Sequence, residues 1–488
     1  MQDRLRTRMG WLHAWSGFVF GLLLVCIFAS GTIAVFDTEL TRWLQPEVPP
    51  SATALTDEAL EETLPTIRKL LERDEKPFIT LPSERDPILR VQYHDGHEFL
   101  NIPFDPGTGQ ELAARATVGG TFFYDLHYSL RNGDTGIIFV TFSGLMLLIV
   151  LGSGIIIHLK ELIPDLLVLR PFSARLRAWL DVHVLASVPF LPFAFMMAYT
   201  GTFLHTRSIL PPVSYLASIN AAITPVAVRA ESPALQKEKT VVPALPPLSP
   251  LLHDAEKVVR AGQVGFILFL PKNILISRTD ASGPARTREH VDFSYDGHFI
   301  RHVLLTTPLT RTQQVMEGIH YVRWGGAGMR WLYFISGLAT TIMIGSGLVL
   351  FLMKRRRLSG GRVIFRLAEG LTVSVLVGFP LACSGFFWGN RLLSGGSEQR
   401  TQEEVTVFFL IWAASAVWGM GGCLMKWRVQ VWRSELGLLA VLSALLGPLD
   451  LLTRSGGTVF HTPTVFAAVD LIALCVAAVA FQIARRLA

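Results

Sequence analysis

Residues His127–Ile157 read HYSLRNGDTGIIFVTFSGLMLLIVLGSGIII, and residues His320–Leu350 read HYVRWGGAGMRWLYFISGLATTIMIGSGLVL. The two align without a gap at an offset of 193. His127/His320, Tyr128/Tyr321, Gly133/Gly326, Ser143-Gly144-Leu145/Ser336-Gly337-Leu338 and Gly152-Ser153-Gly154/Gly345-Ser346-Gly347 all coincide. Self-similarity at a fixed offset marks a duplicated structural unit. A weaker match at offset 170 sets His13 against His183 and Ser30-Gly31-Thr32 against Thr200-Gly201-Thr202, with the same 17-residue separation in each copy.

Most of each repeated stretch falls in a long run without Asp, Glu, Lys or Arg, starting at Thr135 in the first copy and Trp331 in the second. A bilayer core of about 30 Å takes roughly 20 apolar helical residues. Four such runs are residues 9–36 (TM1), 135–159 (TM2), 182–206 (TM3) and 331–353 (TM4). Further runs at 371–390, 405–425, about 436–452 and 464–484 predict TM5–TM8; TM7 carries Pro448 and Asp450, and TM8 carries Asp470. TM1 is too long for a signal-peptide core, so it reads as an uncleaved span. The whole chain agrees: 488 residues, 50% hydrophobic and 17% charged, with mean hydropathy +0.42. Soluble domains carry about 25% charged residues, so neither a disordered chain nor a soluble enzyme fits.

Charge gives the expected orientation. With the N-terminus inside, the inside segments 1–9, 158–178, 354–366, 426–433 and 485–488 hold 18 Lys/Arg against three acids, Asp3, Glu161 and Asp165. Lys354-Arg355-Arg356-Arg357, directly after TM4, is the strongest single marker. The net charge of +6 therefore reports a membrane collar and excludes a nucleic-acid partner.

Two long segments, 37–130 and 207–328, then lie outside. The first predicts a helix over 57–71, strands over 88–93 and 98–104, and a turn at Asp105-Pro106-Gly107-Thr108-Gly109. The second predicts a helix from Asp254, strands over 265–270, 273–278, 290–294 and 299–303, and a turn at Tyr295-Asp296-Gly297. Each reads as one helix on its own small antiparallel sheet, and the Pro-rich stretch 241–250 reads as a linker. The expected division is TM1 1–36, outer domain one 37–130, TM2 131–160, an inside loop 161–178, TM3 179–206, outer domain two 207–328, TM4 329–357 and a C-terminal region 358–488. The fold class is an α-helical polytopic membrane protein. A duplicated span–α+β–span unit forms a four-helix core, with parallel repeats about an axis along the membrane normal and about four extra C-terminal spans.

Six of the 13 histidines fall at or near span ends: His13, His158 and His183 inside, and His127, His205 and His320 outside. An imidazole at a membrane interface is often just a polar residue at the water boundary. The repeat argues for more, because His13/His183 and His127/His320 are each placed at equal depth on symmetry-related helices. Two imidazoles facing each other across a pseudo-two-fold suit the axial positions of a haem iron. Zinc would want Cys or carboxylate company. His158 and His205 have no histidine counterpart and remain further candidates. His94, His97, His290, His298 and His302 fall in the outer domains as loop residues or substrate contacts, and His461 as a loop residue. Glycines 17, 21, 31, 144, 152, 154, 337, 345 and 347 read as helix-packing residues that also leave room for a flat macrocycle. The four cysteines, Cys26, Cys383, Cys423 and Cys475, all fall in expected spans, and no Cys-x-x-Cys-His occurs to attach haem covalently. No Gly-x-Gly-x-x-Gly precedes a suitable βαβ unit, so the electron donor would be a separate protein or quinol.

These motifs resemble the PepSY-associated transmembrane helix proteins, which include bacterial inner-membrane siderophore-iron reductases and iron-regulated membrane proteins. The likeness lies in Trp11-Leu12-His13-Ala14-Trp15-Ser16-Gly17, in Gly31-Thr32 with Phe36, in the turn Asp105-Pro106-Gly107-Thr108-Gly109, and in the His127, Ser-Gly-Leu and Gly-Ser-Gly set with its second copy. It covers about residues 1–357. The turn Tyr295-Asp296-Gly297-His298 and TM5–TM8 depart from the family pattern. The resemblance implies b-type haems, two by the histidine count, and a ferric-siderophore reductase in a bacterial inner membrane. Its N-terminus would be cytoplasmic and its two outer domains periplasmic. Electrons would come from a cytoplasmic or quinol donor and pass to a ferric siderophore or other ferric chelate. The readings from other classes are a transporter for iron or a chelate, and a non-redox PepSY sensor or scaffold.

Overall fold

A computed structural model describes residues 2–49, 53–94, 98–158, 168–171, 173–205, 244–395, 399–454 and 464–487. His97, His461, most of the inside loop and the start of the second outer segment lie outside these residues. The chain divides into two compact units. One comprises Met1–Leu40, Gly120–Ile209 and Arg330–Ala488; the other comprises Thr41–Gly119 and Leu210–Met329.

The first unit is helical. Among the described residues seven helices are long and apolar enough to cross a membrane: Arg4–Ala34 (TM1), Gly133–Ile157 (TM2), Gly326–Ser359 (TM4), Val363–Leu392 (TM5), Arg400–Leu424 (TM6), Arg428–Thr453 (TM7) and Phe466–Arg486 (TM8). TM3 departs from expectation. It is a pair of helices, Arg175–Ser187 and Leu191–Leu204, bent by 64° at the break between them. The apolar run hides the cause. Pro189 has no N–H to give and Pro192 opens the second helix, so two consecutive turns lose a rung. TM1 has Val19 and Leu22 at the equivalent positions and runs unbroken.

A second departure concerns the histidine at the head of the repeat. His127 is on a separate short helix, Thr121–Ser129, which ends at left-handed Leu130 (φ 51°). The chain then turns into TM2. Gly136 makes that turn possible: a Cβ there would sit 1.6 Å from the Ser129 carbonyl oxygen. His320 is likewise on its own helix, Pro308–Tyr321, closed by left-handed Val322 (φ 51°). Beyond TM4, the C-terminal spans share an apolar core that includes Val373, Val377, Leu381, Val431, Leu436, Leu439 and Ala480. TM5 contains one π-helical turn, Ser374–Gly378.

Among the described residues the second unit holds a single antiparallel sheet of seven strands, where the sequence reads as two separate sheets. In chain order the strands are β1 Phe78–Thr80, β2 Leu89–His94, β3 Phe99–Phe104, β4 Val264–Phe269, β5 Ile274–Arg278, β6 His290–Phe293 and β7 Phe299–Val303. The spatial order is β3-β2-β1-β4-β5-β6-β7. β1 joins the segments by pairing with β4, Ile79 opposite Ile267. Two small sheets would each have left a bare edge on these strands; joined, they cover one core. Ile67 and Leu70 from one helix and Leu251, Leu252 and Ala255 from another fill it. The second helix starts at Leu248, ahead of the expected Asp254 and inside the expected linker. Glu61 of the first segment accepts from the Leu248 and Ser249 backbone N–H groups at 3.1 and 2.8 Å, satisfying donors that a helix start leaves bare. The expected turns are present. Asp105 Oδ1 accepts from the Gly107 and Thr108 N–H groups, and Gly297 (φ 83°) closes the β6–β7 turn.

Arg90 on β2 is buried and bound on several sides. It pairs with Asp86 and donates to Gln45 Oε1 at 2.7 Å and to Asn101 Oδ1. Removing one side of a buried pair strands the other, at about 3–5 kcal/mol. Arg90→Ala is therefore expected to destabilise this unit by roughly that amount, read as an earlier unfolding transition by circular dichroism. An unchanged transition contradicts the network's role.

Candidate functional site

His13 lies in the first turns of TM1, against TM2. A backbone carbonyl only accepts, so the 3.0 Å contact between His13 Nδ1 and the Val150 oxygen places the ring proton on Nδ1. Ser153 Oγ lies 3.2 Å from the same nitrogen and itself donates to the Val150 oxygen. His183 repeats the arrangement on the first half of TM3, against TM4. Its Nδ1 donates to the Met343 oxygen at 2.8 Å, with Ser346 Oγ at 3.2 Å. Each carbonyl and each serine recurs 193 positions on, and each histidine 170 on, as the sequence offsets require.

The Gly-Ser-Gly motif now has a use for each of its last two residues. The serine hydroxyl flanks the imidazole, and the glycine gives it room. A Cβ on Gly154 would lie 3.1 Å from His13 Cε1, and one on Gly347 3.3 Å from His183 Cε1. The Ser-Gly-Leu motif works at the other end of the spans. Gly144 lies against Thr202 and Gly337 against Thr32.

The two imidazoles lie close, with ring centroids 6.3 Å apart and planes 83° apart. TM1 and TM4 meet through aromatic side chains. Phe18 of TM1 stacks on Phe351 of TM4 at 4.2 Å, and the Arg355 guanidinium lies 4.5 Å over Trp15. With Nδ1–H committed to a carbonyl, the basic lone pair of each ring is on Nε2. Histidine ligands to metals are commonly held this way, with the second nitrogen oriented by a carbonyl. Two metal–nitrogen bonds of about 2 Å, plus about 1 Å from each nitrogen to its ring centre, separate trans imidazoles by about 6 Å. At this separation His13 and His183 could each supply one nitrogen to a metal held between them. Among the described residues no group of three or more His, Cys, Asp or Glu gathers, so a metal here would take its remaining ligands from elsewhere, as a porphyrin supplies them.

His127 is held in the same manner. Its Nδ1 donates to the Ile27 oxygen of TM1 at 2.7 Å, and its ring lies on Gly31, the middle of Ser30-Gly31-Thr32. The short helix that carries it is anchored by Phe122, which stacks on Phe386 of TM5 at 4.6 Å and meets Phe408 of TM6 at 4.9 Å. His205 caps the second half of TM3, and its ring lies parallel to Tyr128 at 6.2 Å. His320 belongs to the other unit, edge-on to Tyr321 at 6.0 Å. His158 ends the TM2 helix, and its side chain lies outside the described residues. In the sheet unit His302 Nε2 meets Glu289 at 2.9 Å, His290 Nδ1 donates to the Arg288 oxygen and His94 packs on Phe99. Sequence reasoning missed Ser153 and Ser346, although the repeated motif contains them, and it missed the carbonyls, which have no sequence signal.

The architecture is that of a multi-span helical membrane protein with an imidazole pair between its helices and a separate α+β unit. The PepSY-associated TM region matches residues 10–354, and the chain belongs to that family. The match stops where TM4 gives way to its basic run, so TM5–TM8 lie beyond it. No curated protein matches the sequence.

Proposed function

We propose that the protein is a haem-binding transmembrane electron conduit that reduces a ferric chelate, such as a ferric siderophore, outside a bacterial inner membrane. The pair His13/His183 carries the reading. Its spacing suits two axial ligands, and its Nδ1 protons are spoken for by carbonyls. A b-type haem, when bound, supplies reversible one-electron chemistry at its iron. The chain's own part is to hold each imidazole in one tautomer, to seat it over a glycine and to exclude water with Phe18, Trp15 and Phe351. The second level rests on His127, similarly tethered to TM1, and on His320, its equivalent at offset 193. His158 and His205 stay secondary candidates.

The basic collar supports a cytoplasmic N-terminus. The shared sheet supports eight spans: β1 and β4 lie on one side, so the chain between them crosses an even number of times, and bent TM3 makes the return crossing. The sheet unit would then be periplasmic and would present the chelate, while a quinol or a cytoplasmic protein would donate electrons. The product is ferrous iron, which a hard oxygen chelator grips less firmly than ferric iron.

The break in TM3 is the observation that favours a second reading, a transporter for iron or a chelate with a broken helix near its site. An absorbance spectrum separates the two. Protein purified from haem-replete cells is expected to show haem bands that sharpen and shift on adding dithionite. Absence of haem bands overturns the conduit and leaves transport.

A further inference from the structure

Glu435 lies within TM7 and is 3% exposed. One carboxyl oxygen, Oε2, accepts from Ser415 Oγ of TM6 at 2.8 Å. The other, Oε1, is buried and has no hydrogen-bond partner among the described residues. Four arginines of this bundle pair with other acids: Arg356 with Glu369, Arg391 and Arg454 with Asp450, and Arg400 with Glu404. On its own helix Arg433 stands two residues before Glu435, and Lys426 lies just ahead of the helix start. Cys423 on TM6 lies on its side of the bundle, with Arg428 of TM7 and the Arg356–Glu369 pair of TM4 and TM5 beyond it. Asp470 of TM8 packs by Gly447, in the other half of TM7, and Arg485 and Arg486 close TM8.

The backbone around Glu435 is also irregular. The π-helical turn Ser374–Gly378 of TM5 passes beside Ser415, and a Cβ on Gly378 would lie 2.0 Å from the Ser415 hydroxyl oxygen. Trp412 Nε1 donates to the Ser374 carbonyl at 3.0 Å, taking up one of the groups the wider turn leaves over. Such turns are frequent at functional sites. A carboxylate buried without a cation is costly, whereas the neutral acid is much less so. Acids inside spans are functional candidates for that reason.

We propose that Glu435 is an intramembrane proton-binding site, taking up and releasing a proton inside the C-terminal bundle. The O–H bond forms at Oε1, while Oε2 keeps the Ser415 hydrogen bond. The proton comes from water, and no electron moves. The site is built from TM5, TM6 and TM7, whereas His13, His183 and His127 are carried by TM1, TM3 and the helix Thr121–Ser129. A purely packing role would need only the Ser415 contact, which glutamine reproduces; the second oxygen is what a proton site adds.

Dicyclohexylcarbodiimide, an apolar reagent that attacks protonated carboxyls, tests this on the full chain in detergent. The adduct is located by peptide mass spectrometry across about pH 5 to 9. The expected result is an adduct on Glu435 whose yield falls as pH rises, and its loss in Glu435→Gln with no other peptide gaining label. No adduct on Glu435 at any pH overturns the proposal, whatever other acids react. A yield on Glu435 that does not change with pH overturns it too, because the proton is then fixed and not exchanged. Haem content unchanged in Glu435→Gln is expected, and this separates failure here from failure of the conduit reading.

Discussion

His183→Ala is expected to remove about half of the bound haem if each histidine level holds one, with the inner site emptied and the outer retained. On the proposed reading His183 would be one of two histidines holding the haem, and His13 could not replace it. TM1 carries that ring, tethered through Nδ1 to Val150. His13→Ala should match it in size. The double variant should lose no more than either alone, because both act on one site and their effects do not add. Ser346→Ala sets the lower bound, since the Met343 carbonyl still holds the ring. The measurement is the pyridine haemochrome content per chain, checked against the reduced spectrum. Full haem in both single variants, with the chain folded, excludes the pair as ligands.

Gly31→Ala should hit the other level. A Cβ at position 31 would lie 2.6 Å from His127 Nδ1 and 2.7 Å from its Cε1, well inside contact distance. The ring cannot simply slide away while its Nδ1 donates to Ile27. Displacing a ligand's orienting contact costs roughly 10–100-fold in affinity, and overpacking adds about 1–3 kcal/mol of instability. The expected result is loss of the outer haem with the His13/His183 site intact. Gly10→Ala is the control, because a Cβ there meets nothing within 4 Å. Equal spectra for the two variants would remove His127 from the ligand set.

Much of this was open to a reading of residues alone. Charge-free runs give spans because a bilayer offers backbone groups no water, so composition alone locates TM1, TM2 and TM4. The repeat located the histidine pair because duplicated contacts need duplicated residues: His13 and Ser153 are answered by His183 and Ser346. The proline pair in TM3 was visible but lost in an apolar run, since hydropathy counts side chains and the break is a matter of missing N–H donors. β1 was not legible. It has three residues, and its second partner, β4, lies far along the chain, so nothing local announces the pairing. The chain's hydropathy pattern begins TM7 at Leu436, one residue after Glu435. The helix begins at Arg428, which draws a charged-looking boundary residue into the buried interior.

The pairing of β1 with β4 has a consequence for how the protein is made. A ribosome delivers the first segment of the sheet unit long before the second, with TM2 and the bent helix pair TM3 still to be made between them. Until then β1 has one partner and one open edge, and the hydrophobic side of the half-sheet lacks the helix Leu248–Val259. Such an edge recruits other strands. Biogenesis therefore has a vulnerable interval that lasts until β4 and the helix Leu248–Val259 have been made. A chain truncated after TM2 is a trap for chaperones and proteases, and the two halves supplied as separate polypeptides would have to meet early to survive.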